Sequence, residues 1–412
     1  MVSTLYTYIR NSRLRGAVIG VGFTVLWLAV MVEPGEEAMR QLFKFYRRRR
    51  PPPDLGGVLD LREAARHPDT VYRARLEASG LDGEAQRVGL QPVSQWRAYG
   101  LNGYPGFIFI VNPFLPSGQR FWVRQCLKLY PQKPNVCNLD AHDPQRDDVW
   151  ASGIRAGKGP REPRSLLEKL RWVTLGYHYN WNTKRYSAHH RSSLPVEVSG
   201  VAGILAAACG FPTFCAEAAI LNFYRADSAL GPHVDESELD LSQPLVSFSF
   251  GCSAVFLLGG LRREDPALPL FMHSGDVMVM SGESRLRYHA VPRILDSGGA
   301  LPECLREPSY PREAAGDHAE PDPSGRGDPG VSATEPDAVS AADWEVCARY
   351  LRESRVNVTV RQVAAPGEAV PNTEPPLHQD AAAIVTQQGG YSDGDAHNHD
   401  EEGHRHSKED TG

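Results

Sequence analysis

The sequence lacks the cysteine pattern of a disulfide framework or of a zinc knuckle. Its seven cysteines are scattered along 412 residues, odd in number and never spaced C-x-x-C, so we expect a reducing compartment. The sequence also lacks internal repeats, and near its N-terminus an apolar run without charge covers residues 16–32. With 41% hydrophobic residues and a net charge of −6, the composition excludes a collagen, a coiled coil, a wholly disordered chain and a multi-span membrane protein.

Acidic charge is concentrated in two segments of low hydrophobicity. Residues 296–342 carry a net charge of −7 and residues 364–412 a net charge of −8, against +6 for residues 1–50. The two acidic segments have too few large apolar residues to offset the entropy lost on ordering. We therefore predict a disordered insertion at 296–342 and a disordered acidic tail at 364–412. The rest of the chain is mildly basic, at +3, which is compatible with a polyanionic partner.

The N-terminal leader, residues 1–35, supports three interpretations. Arg10, Arg13 and Arg15 precede the uncharged run, and the first acidic residue is Glu33. An Arg-rich, acid-free segment is typical of a mitochondrial presequence. The run of 17 uncharged residues is also at the lower length limit of a membrane anchor, which would put residues 16–32 in contact with a membrane. In the third interpretation the leader is a variant extension without a role.

A basic helix is predicted after the leader. The segment Glu36–Arg50 contains large apolar residues and ends in four arginines before Pro51. Cations at a helix C-terminus suit the helix dipole and proline stops the helix, so we interpret the basic end as a solvated terminus. Residues 36–90 as a whole are predicted to form a helical and linker extension.

The second half of the chain has a β pattern. Between Glu217 and Arg293, short β-rich runs alternate with turn signals, and a further run spans Ser354–Val363. Closely spaced strands without intervening helices are typical of an antiparallel sandwich or barrel. Upstream, a capping box at Ser165 begins a short helix, and a second helix ends at Gly210. We predict a mainly β fold with packing helices (α+β), with a double-stranded β-helix (jelly-roll) core and an N-terminal helical extension.

One H-x-D motif and a distant histidine are candidate metal ligands. His233 and Asp235 lie two residues apart, so in an extended segment they point to the same face. His289 follows 56 residues later in a predicted strand. Two histidines and one carboxylate form the facial triad of non-heme Fe(II) oxygenases. The alternative is an exposed loop pair and an unrelated core histidine.

The segment Arg355–Arg361 is a candidate anion-binding strand. Strict alternation places Arg355, Asn357, Thr359 and Arg361 on one face and three valines on the other. If the polar face looks into the barrel, its arginines require anionic partners, and a buried dicarboxylate is such a partner. In the opposite orientation the arginines face water. This segment alone does not decide between the two.

Taken together, these motifs resemble the AlkB family of Fe(II)- and 2-oxoglutarate-dependent nucleic-acid dioxygenases. The resemblance includes the H-x-D motif at His233, the distant His289 and the R-x-N-x-T-x-R strand that begins at Arg355. It covers roughly 217–363 and extends back to about Gln91. The resemblance implies Fe(II) as cofactor and 2-oxoglutarate and O2 as co-substrates. It also divides the chain into an N-terminal part with a nucleotide-recognition lid, residues 91–210, and a dioxygenase jelly roll, residues 211–363.

The resemblance assigns roles residue by residue. His233, Asp235 and His289 would ligate iron, with Asp235 also the catalytic residue. Arg355 would form a salt bridge with the distal carboxylate of 2-oxoglutarate. The rest of the 2-oxoglutarate pocket would be made by Asn222, Tyr224, Asn357, Thr359 and Arg361. Where some relatives have an acidic base-reading residue, this chain has Ser237, and where some have an aromatic, it has Met280, so the identity of the base does not transfer.

A basic, aromatic segment is the predicted substrate side. Residues 157–191 have a net charge of +6 with interleaved Trp and Tyr, which suits phosphates and a flipped base. Alternatively, these aromatics are core and the cations are solvated. The resemblance to the AlkB family implies that this segment is the nucleotide-recognition lid. The predicted substrate contacts are therefore Tyr177, His178, Tyr179 and the upstream Trp150.

Three functional hypotheses follow. The first is oxidative demethylation or hydroxylation of methylated bases in tRNA or DNA. The second is demethylation of methyl-lysine in a protein such as a histone, and the third is a non-catalytic binding module. We expect a monomer without an obligate protein partner, located in the nucleus and mitochondrion and also in the cytoplasm.

Overall fold

The computed structural model describes residues 37–143, 145, 148–155, 165–295, 301–306 and 340–372. The predicted leader, residues 1–35, therefore lies outside the described residues, whereas the helix that follows it is described. Seven α-helices occur in the described part: α1 (Ala38–Arg47), α2 (Asp82–Arg87), α3 (Pro116–Arg124), α4 (Val149–Arg155), α5 (Leu166–Lys169), α6 (Val196–Ala208) and α7 (Ala341–Leu351). None of the helices in these ranges is long and apolar enough to span a membrane.

Within the described residues, thirteen strands form two antiparallel sheets. They are β1 (Val71–Arg73), β2 (Arg97–Leu101), β3 (Phe107–Val111), β4 (Val136–Cys137), β5 (Trp172–Gly176), β6 (Ala218–Arg225), β7 (Leu230–His233), β8 (Leu245–Gly251), β9 (Ala254–Leu258), β10 (Leu268–Met272), β11 (Val277–Met280), β12 (His289–Ile294) and β13 (Ser354–Arg361). The large sheet has the order β1-β2-β3-β11-β8-β13-β6-β5-β4, and the small sheet has the order β10-β9-β12-β7.

The two sheets enclose one core and carry helices outside. Phe109 and Met278 of the large sheet are buried together with Phe256 and Met272 of the small sheet. The outer face of the large sheet forms a second core with helices α2, α3, α6 and α7, to which Trp122 contributes. This is the predicted jelly roll with packing helices, and the predicted fold class is confirmed.

Strand β13 is oriented as the inward hypothesis requires. Val356, Val358 and Val360 are buried in the core shared with the outer helices. The alternate side chains, beginning with Arg355 and ending with Arg361, line the space between the sheets. Because side chains alternate with a period of two, the valines on one face fix the arginines on the other.

Helix α1 covers the outer face of the small sheet. Met39, Phe43 and Tyr46, spaced four and three residues apart, are buried together with residues of β9 and β12. Arg40 and Lys44, on the other side of the helix, are exposed. The predicted helix is thus present, although it begins at Ala38 and ends at Arg47.

Two strands of the small sheet contradict the sequence interpretation. The sequence indicates a turn at residues 229–232 and a connecting piece at residues 261–269, and it predicts no strand at either place. Both pair as strands, β7 with β12 and β10 with β9. They are the two edges of the small sheet, where Pro232 and Pro269 are tolerated because an edge strand leaves some N–H groups without a ladder partner.

The disorder predictions are wrong at their boundaries. Leu301 and Leu305, inside the predicted insertion, are buried in the helix-side core, and Trp344 Nε1 donates to the Arg306 carbonyl at 3.0 Å. Ala364 and Val370, inside the predicted tail, are buried as well. These apolar residues find distant partners that a local composition count does not include. Residues 296–300, 307–339 and 373–412 of these two segments lie outside the described residues.

Candidate active site

The three predicted metal ligands converge at the end of the small sheet. His233 is the last residue of β7 and His289 the first of β12, and the two are paired in register. Their ring centroids are 4.3 Å apart, and His233 Nε2 lies 3.7 Å from Asp235 Oδ1. One ligand atom from each of the three residues lies within 4.8 Å of the others. This spacing allows a single ion to contact all three.

Main-chain carbonyls hold both imidazoles in one orientation. His233 Nδ1 lies 2.9 Å from the Gly231 carbonyl, and His289 Nδ1 lies 3.2 Å from the Arg287 carbonyl. A carbonyl can only accept, so each Nδ1 carries the proton and each Nε2 keeps its lone pair for a metal. Burial, with a contribution from His233, lowers the pKa of His289 to about 4, which keeps this ligand neutral.

Asp235 is held ionised by its neighbours. Burial alone would raise its pKa, but Arg361 and the two histidines favour the carboxylate and bring the pKa well below its usual range. Arg361 Nη2 donates to Asp235 Oδ2 at 3.0 Å. The other carboxylate oxygen, Oδ1, faces His233. The site therefore offers one anionic and two neutral ligands, the donor set of a non-heme Fe(II) centre.

Arg355 is a buried cation suited to a carboxylate. It is 2% exposed, Nη2 donates to Ser249 Oγ at 2.6 Å, and Nε has no hydrogen-bond partner within the part of the chain that the structure describes. Its guanidinium carbon lies 5.6 Å from the centroid of the Tyr224 ring. Burial lowers the pKa of Arg355. Among the described residues it forms no ion pair, so the carboxylate of a small ligand would supply the missing counter-ion and hydrogen-bond acceptor.

The other predicted 2-oxoglutarate residues share the same cavity. Asn357 lies opposite Asn222 in the pairing of β13 with β6, and Arg355 lies opposite Tyr224. Asn357 Nδ2 donates to Ser247 Oγ at 2.8 Å. The cavity has a volume of about 300 Å³. All nine predicted metal and co-substrate residues line it: Asn222, Tyr224, His233, Asp235, His289, Arg355, Asn357, Thr359 and Arg361. These donors fit Fe(II) and 2-oxoglutarate.

An aromatic wall forms part of the lining of this cavity. Tyr179, Trp181 and Tyr186 line it together. The Tyr179 ring lies 4.8 Å from that of Trp181 and 5.3 Å from that of Tyr186. Of the predicted substrate contacts, Tyr179 is therefore placed at the cavity, and Trp181 and Tyr186 join it although they were not singled out in the sequence.

Three predicted substrate contacts are not brought to this cavity. Trp150 is buried in the helix-side core. Tyr177 is buried with Arg191 over its ring, 4.6 Å from the centroid. His178 is buried beside Thr174, whose Oγ1 lies 2.9 Å from its Nδ1, and burial lowers its pKa to about 4. Their position gives no support for direct contact with a substrate.

A buried glutamate beside the triad was missed. Glu238 has a 2% exposed side chain and forms ion pairs with Arg285 and Arg361. Its position three residues after Asp235, inside a polar stretch that reads as a connection, gave no signal of burial.

Comparison with known proteins defines the class. The sequence profile of the 2OG-Fe(II) oxygenase superfamily matches residues 106–361. The mouse protein named nucleic acid dioxygenase ALKBH1 is 54% identical over 355 residues, covering 82% of this chain and 87% of its own length. The human protein of that name is 53% identical over 358 residues with the same coverage. The tRNA demethylase abh1 of Schizosaccharomyces pombe is 39% identical over 216 residues, covering 48% of this chain and 72% of its own.

The chain belongs to the ALKBH1 group of the AlkB family, within the 2OG-Fe(II) oxygenase superfamily. The predicted family membership is confirmed. The protein is an Fe(II)- and 2-oxoglutarate-dependent dioxygenase that uses O2, and the His233, Asp235 and His289 cluster has the spacing to hold the metal ion that this chemistry requires.

Proposed function

We propose that this dioxygenase oxidises methylated bases of tRNA or DNA. The observation that carries the proposal is the shared cavity. It is lined by the metal triad, by Arg355, which forms no ion pair among the described residues, and by a group of packed aromatic rings. Aromatic faces accept an unstacked base of any identity. The names of the mouse and human relatives support a nucleic-acid substrate.

Each part of the cavity has one task in this proposal. Arg355 binds the distal carboxylate of 2-oxoglutarate, and Asn222 and Tyr224 orient the co-substrate. Tyr179 and Trp181 stack against the base and exclude water. Bound Fe(II) supplies the oxidation, in which 2-oxoglutarate and O2 give succinate and CO2 while one oxygen atom enters a methyl C–H bond. An N-hydroxymethyl product then loses formaldehyde.

Exposed cations at the cavity and on helix α1 support a polyanionic substrate. Arg40, Lys44 and Arg47 are exposed on α1, which packs against β7 and β12, the strands that carry the two histidine ligands. Lys184 lies at the cavity and Arg185 beside it is exposed. Phosphate contacts of this kind position a nucleic acid without reading its sequence.

Turnover of methyl-labelled substrates tests the proposal. Total tRNA, single-stranded DNA and methyl-lysine peptides, each carrying a methyl label, are incubated with Fe(II), 2-oxoglutarate and O2, and succinate is measured with the label. We expect succinate formation coupled to label oxidised or released from nucleic acid, and none of it with Asp235→Ala. Coupling to peptides alone, or no turnover with any substrate, would contradict the proposal.

We further propose a monomer that acts in the nucleus, mitochondrion and cytoplasm. The Arg-rich composition of residues 1–35 supports mitochondrial import. Fluorescent fusions with and without residues 1–35 test this, because loss of the mitochondrial signal is expected only for the truncated chain. Carbonate extraction of membranes tests the contact of residues 16–32, and sedimentation tests the oligomeric state.

A further inference from the structure

A buried network of alternating charges surrounds the metal ligand Asp235. Glu238 Oε2 accepts a hydrogen bond from Arg285 Nη2 at 2.5 Å, and Glu238 Oε1 lies 2.8 Å from Arg361 Nε. The side chains of Glu238, Arg285 and Arg361 are 2%, 1% and 4% exposed. Buried charges are tolerated only when they are paired, so these three side chains fix one another.

Both arginines of this network also hold Asp235. Arg361 Nη2 donates to Asp235 Oδ2 at 3.0 Å, and Arg285 Nη1 donates to the main-chain carbonyl of Asp235. Glu238 is therefore the shared anion of two arginines that grip the carboxylate and the backbone of one metal ligand. Without that anion, two buried guanidinium groups beside Asp235 would lose the carboxylate that they share.

The same segment is joined to the aromatic wall. Tyr186 Oη donates to Glu238 Oε1 at 3.2 Å, and Tyr179 Oη lies 3.1 Å from Ser237 Oγ. The two residues that bond the tyrosines are consecutive, and they follow Asp235 by two and three positions. The wall expected to contact the base is thus hydrogen-bonded to the segment that carries the metal ligand.

We propose that Glu238 is a positioning residue that sets the geometry of Asp235 for the metal and, through Tyr186, ties the aromatic wall to the metal site. Glu238 partly neutralises Arg285 and Arg361. Because the two arginines then hold Asp235 in one orientation, its Oδ1 remains available for the ion. The inference rests on the metal site of the proposed dioxygenase, but it does not depend on which substrate is oxidised.

Metal affinity of the purified full-length protein tests this proposal. We expect Glu238→Gln, which keeps the shape but not the charge, to weaken Mn(II) binding by about 10- to 100-fold, the usual effect of removing a group that orients a metal ligand. The matched control is Glu236→Gln, the same change at an exposed side chain two positions earlier, with Mn(II) affinity within about threefold of wild type. Electron paramagnetic resonance of free Mn(II) measures both without substrate.

A charge-balancing variant separates positioning from folding. Glu238→Gln leaves two arginines beside Asp235, so adding Arg285→Gln should recover part of the lost Mn(II) affinity even if it lowers the melting temperature further. A purely structural role predicts additive losses instead. Tyr186→Phe should leave Mn(II) affinity within about threefold while raising amide exchange in residues 179–186. Wild-type Mn(II) affinity in folded Glu238→Gln, or additive losses in the double variant, would overturn the proposal, and both results are independent of nucleic-acid turnover.

Discussion

His289 lies directly opposite His233 in the antiparallel pairing of β12 with β7. The pairing converts a separation of 56 residues into a contact between two rings whose centroids are 4.3 Å apart. Asp235, just beyond the end of β7, completes the group from the same segment. The metal site is therefore a property of the sheet register, because a one-residue slip would turn His289 to the other face.

Substitution of His289 should remove metal binding without unfolding the chain. In wild type, Mn(II) at 100 times its Kd is expected to stabilise the fold by about 2.7 kcal/mol. In His289→Ala this gain should vanish, while the metal-free melting temperature stays close to that of wild type, because three close ligands without an ion add little to stability. Thermal melts with and without Mn(II) check this. Retained stabilisation by Mn(II) would remove His289 from the ligand set.

Substitution of Arg355 should affect the co-substrate rather than the metal. Each charge-assisted hydrogen bond contributes about 1.5–3 kcal/mol, so Arg355→Ala should weaken 2-oxoglutarate binding by about 100-fold while Mn(II) affinity changes less than about threefold. Arg355→Lys is the matched control, with an intermediate loss because the charge stays but the planar fork is removed. Calorimetric titration of 2-oxoglutarate into the Mn(II)-loaded protein measures both. An equal loss of metal and co-substrate affinity contradicts the assignment.

The sequence predicts those parts of the site that depend on local periodicity. Alternation along β13 places Arg355 and Arg361 on one face, and the H-x-D spacing places His233 and Asp235 together. The resemblance to the AlkB family, and not the periodicity, turned these groups toward the site. The sequence does not identify Glu238, because its partner Arg285 is 47 residues away in the chain. The sequence interpretation placed Trp150 at the substrate, whereas the structure buries it in the helix-side core. An aromatic residue near a basic segment is compatible with either position. Strands β7 and β10 could not be predicted, because each contains a proline, Pro232 or Pro269. Only the sheet order shows that these two strands lie at edges, where proline is tolerated.

His178 gives the protein a specific sensitivity to acid. Burial lowers its pKa to about 4. As the pH falls below about 6.5, the His178 side chain is therefore protonated in the unfolded chain but stays neutral in the folded chain. Stability that is present above pH 6.5 is therefore lost as the pH falls toward 4. Between pH 7.5 and pH 5.0 this group should cost about 2 kcal/mol of unfolding free energy.

The variant His178→Gln isolates that contribution, because glutamine has no charge at either pH. Urea unfolding at pH 7.5 and pH 5.0 should show a smaller loss for the variant than for wild type, by about 2 kcal/mol. The lower starting stability of the variant does not matter, since only the difference between the two pH values is compared. An equal loss in both proteins would mean that His178 is protonated in the folded state.

Most of the acidic insertion should be dispensable for turnover, but the described residues 301–306 near its start should be needed for stability. Deleting residues 307–338 is expected to leave turnover within about twofold, because their composition offers little to a core. Leu305, by contrast, is fully buried, and Leu305→Ala should lower the unfolding free energy by about 3 kcal/mol. Urea denaturation and succinate formation measure the two effects. Loss of turnover in a stable deletion variant would show instead that the insertion takes part in the reaction.

The first residues of the predicted tail should support the aromatic wall. Val370 and Ala364 are buried together with Tyr186, and the Ala188 amide donates to the Pro371 carbonyl at 3.3 Å. A chain ending at residue 372 keeps these contacts and should bind single-stranded nucleic acid like the full chain. A chain ending at Val363 loses them, so we expect faster amide exchange in residues 177–191 and about tenfold weaker nucleic-acid binding, with Mn(II) affinity unchanged. If both truncations behave alike, residues 364–372 only cover the wall and do not hold it.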